Sequence, residues 1–135
     1  MFELLKLQKL DIIKYDHLCG NSQGCPVFYQ INFLNCFNDI IKDKLVIAIV
    51  HDGKELQCAI PGIINGKTFE ALTYFGFDSL DIIVNQEYPA DAMKRKMIDY
   101  ILKEYDVIKL SNFISIDSAL SLFYYKKIPS YKSPI

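Results

Sequence analysis

Few residues of this chain are of types and at spacings that could do chemistry. Asp16, His17 and Cys19 lie close together and are the side chains of a thiol nucleophile, its base and the group that orients the base. Their closeness counts against that use. The base must stand between the other two in space, and near neighbours along a chain rarely align so. Adding Cys25 gives His17-x-Cys19-x5-Cys25. Structural zinc, however, draws ligand pairs roughly two to four residues apart from two separate knuckles, and no second pair exists. No metal site is therefore expected. Cys36 and Cys58 have apolar neighbours and read as small core hydrophobes, and four cysteines in so apolar a chain suggest no disulfide framework.

Other motifs dissolve in the same way. Asn65-Gly66-Lys67-Thr68 ends like a phosphate-binding loop, but Pro61 stands where its first glycine belongs and a strand follows. A hairpin turn is the better reading. Lys94-Arg95-Lys96, with Asp91, Asp99 and Glu104 nearby, reads as a solvated helix face, and His51 as a solvated strand end. Two groups remain. Asp78, Ser79 and Asp81 follow a strand at the mouth of a sheet, where polar side chains can line a ligand crevice. Tyr29-Gln30 opens a helix.

The elements that would position these groups follow from pattern. With 135 residues, 51% of them hydrophobic and 23% charged, the chain is one globular domain. Lys and Arg number 15 against 16 for Asp and Glu, which leaves no basic excess for binding nucleic acid. The longest apolar run, Leu45 to Val50, is far short of a membrane span, so none is expected. Met1-Phe2-Glu3 lacks a basic leader, and a cytoplasmic setting is expected.

Phe2 to Ile13 fits a strand or a short helix, and Tyr15 to Cys19 a helical turn. From Phe28 to Ile41, Phe33, Leu34, Phe37, Ile40 and Ile41 recur at helical steps and predict an amphipathic helix. Leu45 to Val50 predicts a strand, and Asp52-Gly53 a two-residue turn that pairs Ile49 with Leu56 and Ile47 with Cys58. One face is then apolar, and Val50 with Glu55 and Ala48 with Gln57 make a more polar one. Asn65-Gly66 predicts a second turn that sets Ile60 against Ala71, with a bulge or break at Pro61. A brief Ile82-Ile83-Val84 run precedes a helix opened by Pro89 and reaching Lys103. A strand at Val107 to Leu110 and a helix from Asp117 to Tyr125 complete the order. This is an α+β (α/β) domain, a mixed sheet containing a three-stranded antiparallel meander flanked by helices.

The local text carries a resemblance. Cys25-Pro26-Val27-Phe28-Tyr29-Gln30 followed by Phe33-Leu34 resembles the Pro-x-Phe-x-Gln … Trp-Leu opening helix of FemAB-like, cellulose-biosynthesis (CelD-type) acyltransferases. These are built on the GCN5-related acetyltransferase (GNAT) fold. The likeness continues through Asp52-Gly53, Ile60-Pro61, Phe75-Gly76 and Asp81, so it spans Cys25 to Ile83. Phe33 replaces the family's tryptophan, Gly62 its usual aliphatic residue, and Leu80-Asp81 only echoes its Asp-Tyr.

The resemblance implies transfer of an acyl or aminoacyl group to an amine or hydroxyl of an envelope polysaccharide, peptidoglycan or lipid precursor. It implies an N-terminal GNAT-like domain over residues 1–135, with a missing C-terminal GNAT-like domain as partner. It also implies acyl-CoA or aminoacyl-tRNA as a donor for that second domain. Phe77 to Asp91 holds no glycine, whereas the family's Gln/Arg-x-x-Gly-x-Gly/Ala loop binds the CoA pyrophosphate through backbone N–H groups. This domain is therefore expected to be catalytically degenerate, with no catalytic residue and no cofactor of its own. Tyr29, Gln30 and Asp81 are its expected contacts to a small-molecule or glycan-precursor acceptor. The alternative is a standalone, non-catalytic protein-interaction module anchored by Phe123, Tyr124, Tyr125 and Tyr131.

Overall fold

A computed structural model describes residues 1–22, 29–71 and 82–109. The expected helix over 117–125, Asp78, Ser79, Asp81 and the C-terminal aromatic residues lie outside these. Strand β1 (Phe2–Lys6) leads through a 3-10 turn at Leu7–Lys9 into helix α1 (Ile12–Gly20) and then α2 (Ile31–Ile40). Strands β2 (Leu45–His51), β3 (Leu56–Asn65) and β4 (Thr68–Ala71) follow, then the short β5 (Ile83–Val84), helix α3 (Ala90–Glu104) and β6 (Val107–Lys109). The opening residues, ambiguous in sequence, thus form an edge strand before a helix. Asp11 caps that helix by accepting the Lys14 N–H at 3.1 Å.

The sheet is mixed, in the order β1-β2-β3-β4-β6, and β5 pairs with β3. All pairings are antiparallel except β4 with β6, which run parallel and need the crossover that contains α3. The fold is therefore α+β, with β2, β3 and β4 as the antiparallel meander. Helices cover both faces. Leu45, Ile47 and Ile49 pack with Leu18, Tyr15 and Leu34 of the α1–α2 side, while Val46, Ala48 and Val50 pack with Met97, Ile98, Ile101 and Leu102 of α3. At one edge, Phe2 of β1 stacks on Tyr100 of α3 with ring centroids 5.2 Å apart.

The first hairpin differs from its expected register. Ile49 pairs with Ala59 rather than Leu56, and Ala48 pairs with Ile60. The loop is longer than two residues because the Asp52 carboxylate accepts both the Lys54 N–H (2.8 Å) and the Glu55 N–H (3.0 Å), an Asx turn. Gly53, at φ +91°, lets the chain reverse there. A bulge between Val50 and His51 then leaves Gln57 as the extra residue on β3. A three-residue slip turns most of β3 over, which pattern alone could not forbid: both faces of β2 are buried, so either register hides apolar groups.

The second hairpin slips by only two. Asn65 pairs with Thr68 and Gly62 with Ala71 around Gly66 at φ +62°, so the facing of β4 is as expected. At Ile60 and Pro61 the described neighbour of β3 changes, from β5 at Cys58–Ala59 to β4 at Gly62–Asn65. Residues 72–81, which would continue β4 past Pro61, lie outside the described ones, and β2 passes Pro61 in unbroken register.

Two apolar assignments need correction. Cys58 is buried, but Cys36 is exposed, and Ile40 leaves 75% of its surface to solvent. Helix α2 turns Leu34 and Asn38 inward instead. In the charged run on α3, Arg95 and Lys96 are exposed and Lys94 is buried.

Gly62 has a steric reason. A Cβ there would lie 2.7 Å from the Glu70 carbonyl oxygen and 2.7 Å from the Phe69 ring edge, which covers the glycine. Gly62→Ala should therefore destabilise the domain by about 1–3 kcal/mol through overpacking, read from urea unfolding. An unchanged midpoint would show that β3 and β4 can part there freely.

Candidate functional site

The polar residues that the fold gathers lie at one end of the sheet, where α1 and β5 stop and β3 and α3 begin. Asn85, directly after β5, is fully buried. Each of its four polar atoms is bonded. Its N–H donates to the Gln57 carbonyl at 2.9 Å and its carbonyl accepts the Tyr88 N–H at 3.0 Å. Its side-chain oxygen accepts from Asn21 Nδ2 at 2.8 Å and from the Glu87 N–H at 3.0 Å. Its Nδ2 donates to Glu55 Oε1 at 3.2 Å. An amide suits this place because it offers donor and acceptor together.

Asn21, at the end of α1, completes the link. Its carbonyl accepts the Gln86 N–H at 2.9 Å, and its Nδ2 also reaches Glu87 Oε2 at 3.0 Å. The outcome matters chemically. The N–H groups of Gln86, Glu87 and Tyr88 are all taken by the protein itself, and Pro89, the N-cap of α3, has none. A helix N-terminus ordinarily attracts anions. Here its approach is occupied by carboxylates: Glu87 beside it and Asp91 in the first turn.

Tyr88 spans the rim. Its hydroxyl lies 3.2 Å from Glu55 Oε1 and 3.5 Å from Asp52 Oδ2. A hydrogen bond from Gln57 favours the phenolate, but desolvation and the negative charges of Glu55 and Asp52 outweigh it and raise the phenol. Tyr88 thus keeps its proton at neutral pH and serves as a hydrogen-bond donor. Asp52 is held below its ordinary value by the Glu55 and Lys54 N–H groups. A junction of this kind can receive neutral or cationic hydrogen-bonding groups and repels phosphate.

The residues singled out in the sequence fall elsewhere. Tyr29 is fully buried, with its carbonyl accepting the Tyr15 hydroxyl at 2.6 Å. Gln30 is exposed at the N-cap of α2. Consecutive in sequence, the two side chains part, one into the core and one to solvent. Asp81 lies outside the described residues. Of the thiol arrangement, Asp16 and His17 are exposed and Cys19 is half-buried. The Cys58 thiol is pushed up to about 12 by burial, although Lys96 pulls the other way. His51 is not simply solvated. Its Nδ1 accepts the Gly53 N–H at 3.0 Å, so its Nε2 carries the proton toward Glu3 Oε2 at 2.6 Å. Among the described residues no group of side chains could hold a metal ion.

The junction was missed because asparagine and glutamate before a helix read as an ordinary polar loop. The available signal was Asn85-Gln86-Glu87, a polar run wedged between an apolar strand and the Pro89 that opens a helix. No protein family, curated protein or solved structure matches this chain.

Asn85→Ala should cost about 2–3 kcal/mol, since it leaves the Glu87 N–H and Asn21 without their shared acceptor. Hydrogen exchange at the Glu87 amide should accelerate in the same variant. Unchanged stability and exchange would show that the junction holds without its central amide.

Proposed function

We propose that this chain is a catalytically degenerate GNAT-like domain, the N-terminal half of a FemAB-like or CelD-type acyltransferase. The activity of such a protein is transfer of an acyl or aminoacyl group to a cell-envelope polysaccharide, peptidoglycan or lipid precursor. The strand order supports the reading: an antiparallel β1-β2-β3-β4 series, then a helical crossover to a parallel β6. Helices pack on both faces, α1 and α2 on one and α3 on the other.

One observation carries the degenerate part. Binding the pyrophosphate of CoA in the GNAT manner needs free backbone N–H groups between the central strand and α3. At Gln86, Glu87 and Tyr88 these donors are already bonded within the protein, beside carboxylates. Donor binding, from acyl-CoA or aminoacyl-tRNA, then falls to a second domain, and a cytoplasmic setting goes with that supply. Gln30 and Asp81 are the acceptor contacts in this account. Tyr29 backs Gln30 from the core and reaches an acceptor only if the start of α2 moves.

The test is an NMR titration of amide shifts. Coenzyme A at about millimolar concentration should leave the amides of Asn85 to Met93 unmoved, and saturable shifts there would overturn the degenerate site. A chitin oligosaccharide, a muramyl peptide and a polyprenyl phosphate head group test the acceptor. One of them should shift the Gln30 region. If none did, the acceptor-wall role would fall.

A further inference from the structure

We propose that the opposite end of the sheet holds a binding groove for a single-chain amphiphile with one anionic head group. This is independent of the acyltransferase reading and concerns residues that reading does not use. The groove, of about 840 Å³, lies in the range of small-ligand sites. Ile40 and Ile41 at the end of α2, and Ile63 and Ile64 at the end of β3, form its walls. None of these four is buried, and Ile40 keeps 75% of its surface exposed. Ile41 and Ile64 pack partly against the two cores, so it is above all the surface of Ile40 that an aliphatic chain would cover.

Charge selects the head group. Lys6, Lys42 and Lys44 line the same groove, and none forms an ion pair among the described residues. Lys42 and Lys44 belong to the α2–β2 loop, and Lys6 ends β1 beside it. Lys42 (φ +58°) and Asp43 (φ +61°) are consecutive non-glycine residues in the left-handed region, a conformation with a real energetic cost. Asn38, 95% buried, holds them there. Its carbonyl accepts the Asp43 N–H at 2.9 Å, its Nδ2 donates to Asp43 Oδ1 at 3.2 Å, and its Oδ1 accepts the Leu45 N–H at 3.0 Å.

The same bend disposes of the loop's own acid. The Asp43 carboxylate is engaged by Asn38 and by Gln8 at 3.4 Å, and its carbonyl accepts from Lys6 Nζ at 2.9 Å. Lys6, Lys42 and Lys44 thus line the groove, whereas Asp43, held by Asn38 and Gln8, is not part of its lining. Glu70, buried and bonded to Asn65 Nδ2 at 3.0 Å, lines the groove as well. Its negative charge disfavours a second anionic group, so the occupant has one charged head and an apolar body. A carboxylate set into a concave wall also argues for a single molecule over a bilayer surface.

The experiment is calorimetric titration with decyl phosphate below its micelle concentration. One site per chain should saturate, with inorganic phosphate and the neutral decyl maltoside both weaker. Lys42→Gly is the informative variant. It removes a charge while relieving a left-handed residue, so its melting temperature should rise as its affinity falls about tenfold. Ile40→Gln, at an exposed position, should also weaken binding about tenfold while the fold is kept. No saturable binding, affinity in both variants unchanged from that of the parent chain, or inorganic phosphate binding as well as decyl phosphate would each overturn the proposal. So would binding to phosphatidylglycerol vesicles with none to the monomeric amphiphile.

Discussion

The burial of β2 and β3 on both faces is the constraint from which the rest of this structure follows. All six residues from Leu45 to Val50 are buried, and they alternate between two separate cores. Each large aliphatic side chain so placed is worth about 1.5–3 kcal/mol of transfer free energy, so a strand of this composition needs cover on both sides. Helices α1 and α2 supply it on one face and α3 on the other. The chain must then cross from one face to the other, and the parallel step from β4 to β6 around α3 accomplishes that.

The functional geometry grows from the same layering. The end of strand β3 is met by β4 and its first part by β5. That pairing delivers Asn85 to the place where α1 ends and α3 begins. The buried Asn85 side chain has polar groups to satisfy, and Asn21, Glu55 and the Glu87 N–H satisfy them. Closing the turn in this way engages the N–H groups of Gln86, Glu87 and Tyr88 just before α3. At the far end the α2–β2 loop resolves its strain through one buried amide, Asn38, and leaves lysines outward. Two asparagines thus set opposite characters at the two ends of one sheet, acidic at one and basic at the other.

Sequence pattern was a good guide where only one answer buried the apolar groups. The stripe of Met97, Ile98, Ile101 and Leu102 with Pro89 before it yields α3 almost to the residue. The second hairpin keeps its facing because an even slip preserves the side on which each residue lies. The first hairpin was not legible, since two apolar faces leave register to the turn, and an aspartate side chain lengthened that turn. In α2, periodicity could not tell that Asn38 would be held inside by its bonds to the loop while Ile40 went to solvent. Tyr29 and Gln30 show the same limit for the candidate site. Adjacent residues at a helix start point in different directions, and their types do not say which one meets a ligand.

Native-state hydrogen exchange tests the central claim most directly. If two-sided burial of β2 organises the fold, the amides of Ile47 to Val50 exchange only through global unfolding, with protection equal to the free energy from denaturant titration. The amides of the β1 edge then open at lower free energy. Exchange of β2 amides through local opening, as fast as those of β1, would contradict the account and place the organising core elsewhere.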